Sequence, residues 1–291
     1  MNTSNALLAA SVAFFAATAY AGELDPAGVF GVRALMRNEA TLAATKPGVD
    51  LLLHWPAVGI VVPQHQATAA DIRRTFDGNV VAAERRYSQP FIVSGTLHSI
   101  SRRPDRQLVI RLAEGGVGDR MRRIPGAEAG PTLEDMTLGL AHGGAQAVLA
   151  ESYADAVAGW NPRQKVSMRC RSASNVRLAL LLEDCVPISV VIAEAERLAD
   201  AQADLAISGK QLTVVPPGEA DPVKTSEKFL LFSYLTGLAG KRCSKEPVEA
   251  WASCALRELK DKRRSTALME QAVRDLGIPN PVKCDPECRP K

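Results

Sequence analysis

Hydrophobic and polar positions alternate along Phe91–Ile100, with Phe91, Val93, Gly95 and Leu97 on one face and Ser94, Thr96 and His98 on the other. A period of two over this length predicts a half-buried strand. Gly95, in the middle of the inward set, suits a strongly coiled strand in which a Cβ would crowd the bend. A polar turn, Ser101–Arg106, leads to a second alternating run, Gln107–Leu112, with Leu108, Ile110 and Leu112 inward and Arg111 outward. Val166, Met168 and Cys170 alternate with Lys165, Ser167, Arg169 and Arg171, and a further apolar run covers Leu178–Cys185. Between these runs, Met136–Leu140 is the extended candidate for a third strand, and Gly144–Ala158 reads as a helix. Before them, Ile72, Phe76, Val80, Ala83 and Tyr87 fall on one side of a predicted helix over Asp71–Tyr87, which Pro90 ends. Strand–strand–strand–helix–strand–strand is the order of a small five-stranded Greek-key barrel, the OB-fold. The predicted class is α+β: a five-stranded OB-fold-like β-barrel preceded by a helix and followed by an α-helical module.

The flanks are read by the same rules. Val29–Ala44 is helical in character and Lys46-Pro47-Gly48 stops it, while Leu51–Trp55 and Val58–Val62 read as short extended pieces, a lead-in hairpin among the options. Glu194–Leu205 is Ala- and charge-rich and helical, and Val214–Gly218 is a linker. Three helices follow: Glu227–Leu238 closed by Gly240, Pro247–Lys262, and Ser265–Leu276 with Ser265 as N-cap and Gly277 as closing glycine. The organisation predicted is a signal peptide over 1–21, a lead-in over 22–66, the barrel over 67–188 and a helical module over 189–291.

Composition changes this picture only slightly. Apolar residues make up 46% of the chain, enough for a packed core. A net charge of +3 gives no global attraction to nucleic acid or anionic membranes, and an aromatic content of 5% leaves few stacking surfaces. The run Ala6–Ala21 is short for a membrane span and ends in Ala19-Tyr20-Ala21, a small-residue cleavage pattern, although no Lys or Arg precedes it. Cleavage after Ala21 and a periplasmic or secreted location are expected, with no transmembrane span in the mature chain. In an oxidising compartment the six cysteines, Cys170, Cys185, Cys243, Cys254, Cys284 and Cys288, read as disulfide formers. Cys170 and Cys185 sit on consecutive predicted strands where they can face each other. The other four are left to pair among themselves, and they lack the tight C-x2-C pairs of zinc ribbons. No metal and no cofactor are expected.

Asp71, Asn79, Ala82-Ala83, Tyr87, Val93-x-Gly95-x-Leu97-x-x-Ile100, Cys170 and Leu182-Glu-Asp-Cys185 together carry a likeness. Over residues 67–188 this pattern resembles the exported OB-fold family called tRNA_anti-like. The resemblance implies an OB barrel in which a fourth-strand cysteine is matched by one ending the fifth strand. It implies no tRNA binding, since the name records only a fold likeness to anticodon-binding barrels. Glu114–Gly130 departs from the pattern and reads as an insertion.

No catalytic constellation stands out. His54, His65, His98 and His142 are scattered without ligand spacing, and the adjacent Glu183 and Asp184 point to opposite faces of a strand. The binding candidates are basic. Arg102, Arg103 and Arg106 lie between the first two strands, Arg111 and Arg169 point outward, His98 accompanies them, and Arg120, Arg122 and Arg123 occupy the long loop. OB-folds bind ligands near that first loop, and guanidiniums hold phosphates or carboxylates in bidentate fashion. The expected function is a non-catalytic exported binding or assembly protein of the cell envelope, not an enzyme, its partner an envelope protein or an anionic ligand. The first alternative is an exported nucleic-acid- or polyanion-binding protein using the arginine loops. The second is an enzyme whose site forms between barrel and flanks.

Overall fold

The computed structural model describes residues 24–113, 145–176, 179–209, 211–243, 245–246 and 248–278. It is a mixed α+β structure that divides into two compact units, one of Val32–Leu230 and one of Met1–Gly31 with Leu231–Lys291. The division falls inside α1 (Pro26–Thr45) and inside the helix Pro222–Ala239.

The larger unit is built on one curled sheet. Its strands are β1 (His65–Thr68), β2 (Phe91–Arg102), β3 (Leu108–Ala113), β4 (Ala145–Leu149), β5 (Lys165–Cys170), β6 (Ser172–Val176), β7 (Ala179–Glu183) and β8 (Val186–Pro187). The pairing order is β6-β7-β4-β3-β2-β5-β8, with β1 added in parallel to the start of β2. Only Arg171 separates β5, which pairs with β2, from β6, which pairs with β7, so one stretch of chain binds two distant parts of the path and the sheet curls into a half-barrel. Phe91, Val93 and Leu97 of β2, Ile110 and Leu112 of β3, and Met168 of β5 fill its interior. A Cβ on Gly95 would stand 3.1 Å from the Leu112 Cβ, which is the close approach its place in the inward set predicts.

Two helices close the mouth before β2. In α2 (Ala69–Gly78), the Thr68 side chain accepts from the Asp71 N–H while Asp71 reaches back to Thr68, a complete capping box. The single helix expected over 71–87 is broken. Asn79 ends α2 and caps α3 (Val80–Arg86) by accepting from the Ala82 N–H at 3.0 Å. An asparagine carboxamide competes with the helical backbone, so the chain restarts there. The restart rotates Val80 out to 42% exposure, off the apolar face it was assigned to, while Ile72, Phe76, Ala83 and Tyr87 are buried as expected.

Gly144–Ala158 is the largest correction. It is not a helix but β4 followed by a short helical segment that includes α4 (Ala154–Val157). Alanine favours helix in isolation, but β4 lies between β3 and β7 and buries Ala145, Ala147 and Leu149. The ladder and the burial outweigh the propensity. Met136–Leu140 and Glu114–Gly130 lie outside the described residues. The lead-in is no hairpin either: Trp55–Val58 is a single 3-10 turn, and β1 supplies the only pairing described before β2.

Beyond the sheet, α5 (Ile188–Gly209) buries Val191, Ala195, Ala199, Ala203 and Ala206, a three-to-four-residue spacing. Arg37 holds Asp200 of this helix through two contacts of 2.7 Å, and Gln202 fixes the following segment by accepting from the Thr213 N–H and hydroxyl. Glu39 is buried, and its carboxylate accepts the N–H groups of Leu52 and Leu53. Burial pushes its pKa up, only partly offset by those two donors. A raised carboxyl pKa means the folded state holds the proton more tightly than the unfolded chain. Its contribution is therefore full below the ordinary glutamate range and is lost as pH rises through the folded value. Glu39→Gln keeps the acceptor and is expected to flatten that part of the pH–stability curve. Glu39→Ala strands the buried Leu53 N–H and the part-buried Leu52 N–H and is expected to cost about 1–3 kcal/mol in urea unfolding.

The second unit contains α6 (Pro222–Ala239) from Leu231 on, α7 (Val248–Glu258) and α8 (Lys262–Leu276). The Tyr234 hydroxyl accepts from the Asp25 N–H at 2.7 Å and donates to Asp275 at 3.1 Å, and Gln271 bridges the two carboxylates. Gly240 does not end a helix in the left-handed region. It lies in a 3-10 turn under Trp251, where a Cβ would stand 2.2 Å from the indole. Ser265 is not the N-cap of α8. Asp261 is, accepting from Arg263 and Arg264, as a short carboxylate near a helix start does well. Gly277, at φ 58°, closes α8 as expected.

Disulfides join Cys170 to Cys185 and Cys243 to Cys254. Cys284 and Cys288 lie outside the described residues. Among the described residues no helix is long and apolar enough to cross a membrane.

Candidate functional site

The basic residues singled out from sequence do not form one cluster. Arg102 ends β2 and lies 3.5 Å from Glu151, both side chains well exposed. Arg103 and Arg106 belong to the β2–β3 turn, where the Arg103 N–H donates to Gln107 and Arg106 takes a positive φ of 67°. Arg111 pairs with Ser99, half-buried, and its Nε has no hydrogen-bond partner among the described residues. His98 is exposed on β2. Arg120, Arg122, Arg123 and His142 lie outside the described residues.

Arg169 is elsewhere. It pairs with Ile92 on one side and Val186 on the other, seven positions along β2 from the partner of Arg111. That separation is about 23 Å along a strand. Because Met168 and Cys170 face the core, Arg169 faces outward, but α5 covers the sheet there. Arg169 there lines a partly open pocket of about 120 Å³, whose walls include Ile60, Tyr153, Val186, Val190, Glu194 and Leu198.

Polar partners of this arginine are few. Nη1 donates to the Val61 carbonyl at 3.4 Å, and among the described residues no carboxylate is within ion-pair distance. Glu194 lines the same cavity, but both its oxygens are taken by Arg197, at 2.8 and 2.6 Å, which holds its carboxyl below the ordinary range. Burial pushes the Arg169 guanidinium pKa down, with Tyr153 acting weakly the other way. An arginine nonetheless stays charged across the accessible pH range. The result is a half-buried cation beside aliphatic side chains, with donors that no described protein group takes.

A half-buried charge is partly stripped of water, which costs the fold a little unless something pairs with it. Arg169→Met keeps the aliphatic stem and removes the charge. Its expected effect on the unliganded protein is a gain of about 1 kcal/mol, or no change, by urea unfolding. A loss above about 2 kcal/mol would instead mean that the Val61 contact is structural.

A second concavity, about 530 Å³ and more open, lies over the middle of β2. Thr68, Ser94 and Ser167 form a cross-strand row in it, with Thr96 and Lys165 the next row along. Here Asp71 is engaged by Thr68 and Arg74. Among the described residues no group of three or more His, Cys, Asp or Glu side chains is placed to hold a metal ion.

Arg169 was legible as an outward basic residue, but Tyr153, Val190 and Glu194 were not. Tyr153 was hidden in the run read as helix. The signal for the others is the β-branched sequence Ile188-Ser-Val-Val-Ile192 opening a helix directly after a strand. Compared with known proteins, the chain matches no family model and no curated protein.

Proposed function

We propose that this protein is an exported, non-catalytic binding protein of the cell envelope, built on an OB-type barrel of the tRNA_anti-like kind. Its ligand, on this reading, is an anion held at Arg169. The observation that carries the reading is a half-buried guanidinium lining a largely aliphatic, partly open pocket, without a carboxylate partner among the described residues. A guanidinium holds an anion well and exchanges no proton near neutral pH, so the chemistry is that of retention rather than turnover.

The OB reading is supported by the antiparallel run β2-β3-β4, the parallel pairing of β4 with β7, and the bent β5–β6 stretch reaching both β2 and β7. The export reading is supported by two disulfides and by the small-residue pattern before Gly22.

The test is a thermal-shift and ligand-detected NMR panel of small anions and their neutral analogues at constant ionic strength, on wild type and Arg169→Met. At least one class of anion is expected to stabilise the wild type and leave the variant unchanged. A panel to which both proteins respond alike, or not at all, contradicts the reading.

A further inference from the structure

We infer that the Arg169 cavity is a site for a small aliphatic monocarboxylate of about four or five carbons. The inference rests on the proposed binding function and narrows it to a ligand class. Four features of the cavity select this class.

The first is charge. Arg169 is the one basic residue lining the cavity, and the one carboxylate on its wall, Glu194, is retained by Arg197. A single negative charge is neutralised there, whereas a phosphomonoester or dicarboxylate would bring a second charge towards Glu194. The second is geometry. A carboxylate accepts two parallel N–H groups of a guanidinium in one plane, and Arg169 has donors to spare because its hydrogen-bond partner among the described residues is one carbonyl at 3.4 Å. Tyr153 lines the same pocket and carries a hydroxyl able to donate to a remaining lone pair.

The third feature is the lining. Ile60, Val186, Val190 and Leu198 present branched aliphatic surface, which accepts a hydrocarbon body and offers nothing to a polyol. The fourth is size. Apolar cavities of about 150 Å³ accommodate a six-carbon ring. At about 120 Å³ the present one, which is partly open, covers a slightly smaller body. The residues that form it come from α1, the stretch after the Trp55–Val58 turn, the Glu151–Tyr153 turn, β5, β8 and α5, all in the larger unit.

The experiment uses the full-length protein and isobutyrate as the probe, with isobutyramide, phosphate and octanoate as comparators, read by ligand-detected NMR and by thermal shift. Two variants accompany the wild type. Arg169→Met removes the charge and keeps the space, while Val190→Phe keeps the charge and fills the space. Val190 is only half-buried, so the second variant is expected to fold, and its unliganded melting curve checks this.

Isobutyrate is expected to bind the wild type at least tenfold more tightly than isobutyramide does, and tenfold or more weakly to each variant. Phosphate binding through Arg169 in the absence of carboxylate binding overturns the inference and leaves the proposed function standing. Octanoate binding more tightly than isobutyrate overturns the size class. Silence from every anion removes both the inference and the proposed function.

Discussion

Replacing both Cys170 and Cys185 with alanine is expected to lower the stability of the larger unit by about 3 kcal/mol, the loop-closure value for a bridge of this span. The bridge spans 15 residues and both cysteines are 1% exposed, so the loss combines a freer unfolded chain with poorer packing where the two sulfurs meet the core. The position makes the effect large. Cys170 pairs with Phe91 at the root of β2, and the Cys185 N–H donates to Val148 of β4, so the bridge ties the two sides of the curled sheet. In a domain of this size the melting temperature should fall by roughly 6–12 °C. Urea unfolding of the double variant under non-reducing conditions checks the value. A loss below about 1 kcal/mol would mean that the ladder alone fixes the closure.

Gly237→Ala is expected to cost the second unit about 3 kcal/mol, the upper end of what overpacking a tight interior usually does. A Cβ at Gly237 would stand 2.1 Å from the Ala27 carbonyl oxygen and 2.9 Å from the Gly31 Cα. The reciprocal position is as tight, since a Cβ on Gly31 would stand 2.4 Å from the Gly237 Cα. Both obstacles are backbone, so no side chain can swing aside, and α1 and α6 would have to part at their crossing. That separation would stretch the Asp25–Tyr234 hydrogen bond and the Phe30–Trp251 edge contact, whose ring centroids are 5.2 Å apart. Near-UV dichroism and urea unfolding report both effects. Gly209→Ala is the control, because nothing lies within 4 Å of the added carbon, and it should be neutral or slightly stabilising. Equal behaviour of the two variants would contradict the close crossing.

The parts of the fold legible in the sequence are those where one physical signal acts alone. β5 buries one face and leaves the other more open. β2 and β3 keep the apolar-in set that alternation picks out although Ile92 and Val109 on their other face are buried too, so the pattern reports these strands directly. The break at Asn79 was hidden because the apolar spacing of Ile72, Phe76, Ala83 and Tyr87 survives it, and only the cap reveals the restart. β4 was hidden because its alanines carry little hydrophobic contrast, and its strand character comes from neighbours more than 30 residues away in sequence. The Cys170–Cys185 bridge was within reach of the strand pattern, whereas Cys243 and Cys254 could be placed only among four candidates.

The candidate site shows the same limit more sharply. An outward arginine on an alternating strand is visible, but whether it meets solvent or the underside of a helix depends on the packing of α5. Alternation gave Arg111 and Arg169 the same description, and the ladder register separates them. The cavity that distinguishes Arg169 is lined from residues 44 to 198, a span no local pattern can report.

The proposed function requires a protein that leaves the cytoplasm and forms its disulfides outside it. Intact-mass determination of the protein recovered from the cell envelope, with alkylation before and after reduction, tests that premise most directly. The account predicts a chain beginning at Gly22 whose six cysteines take up alkylating agent only after reduction. A chain still beginning at Met1 with freely alkylated cysteines would contradict it.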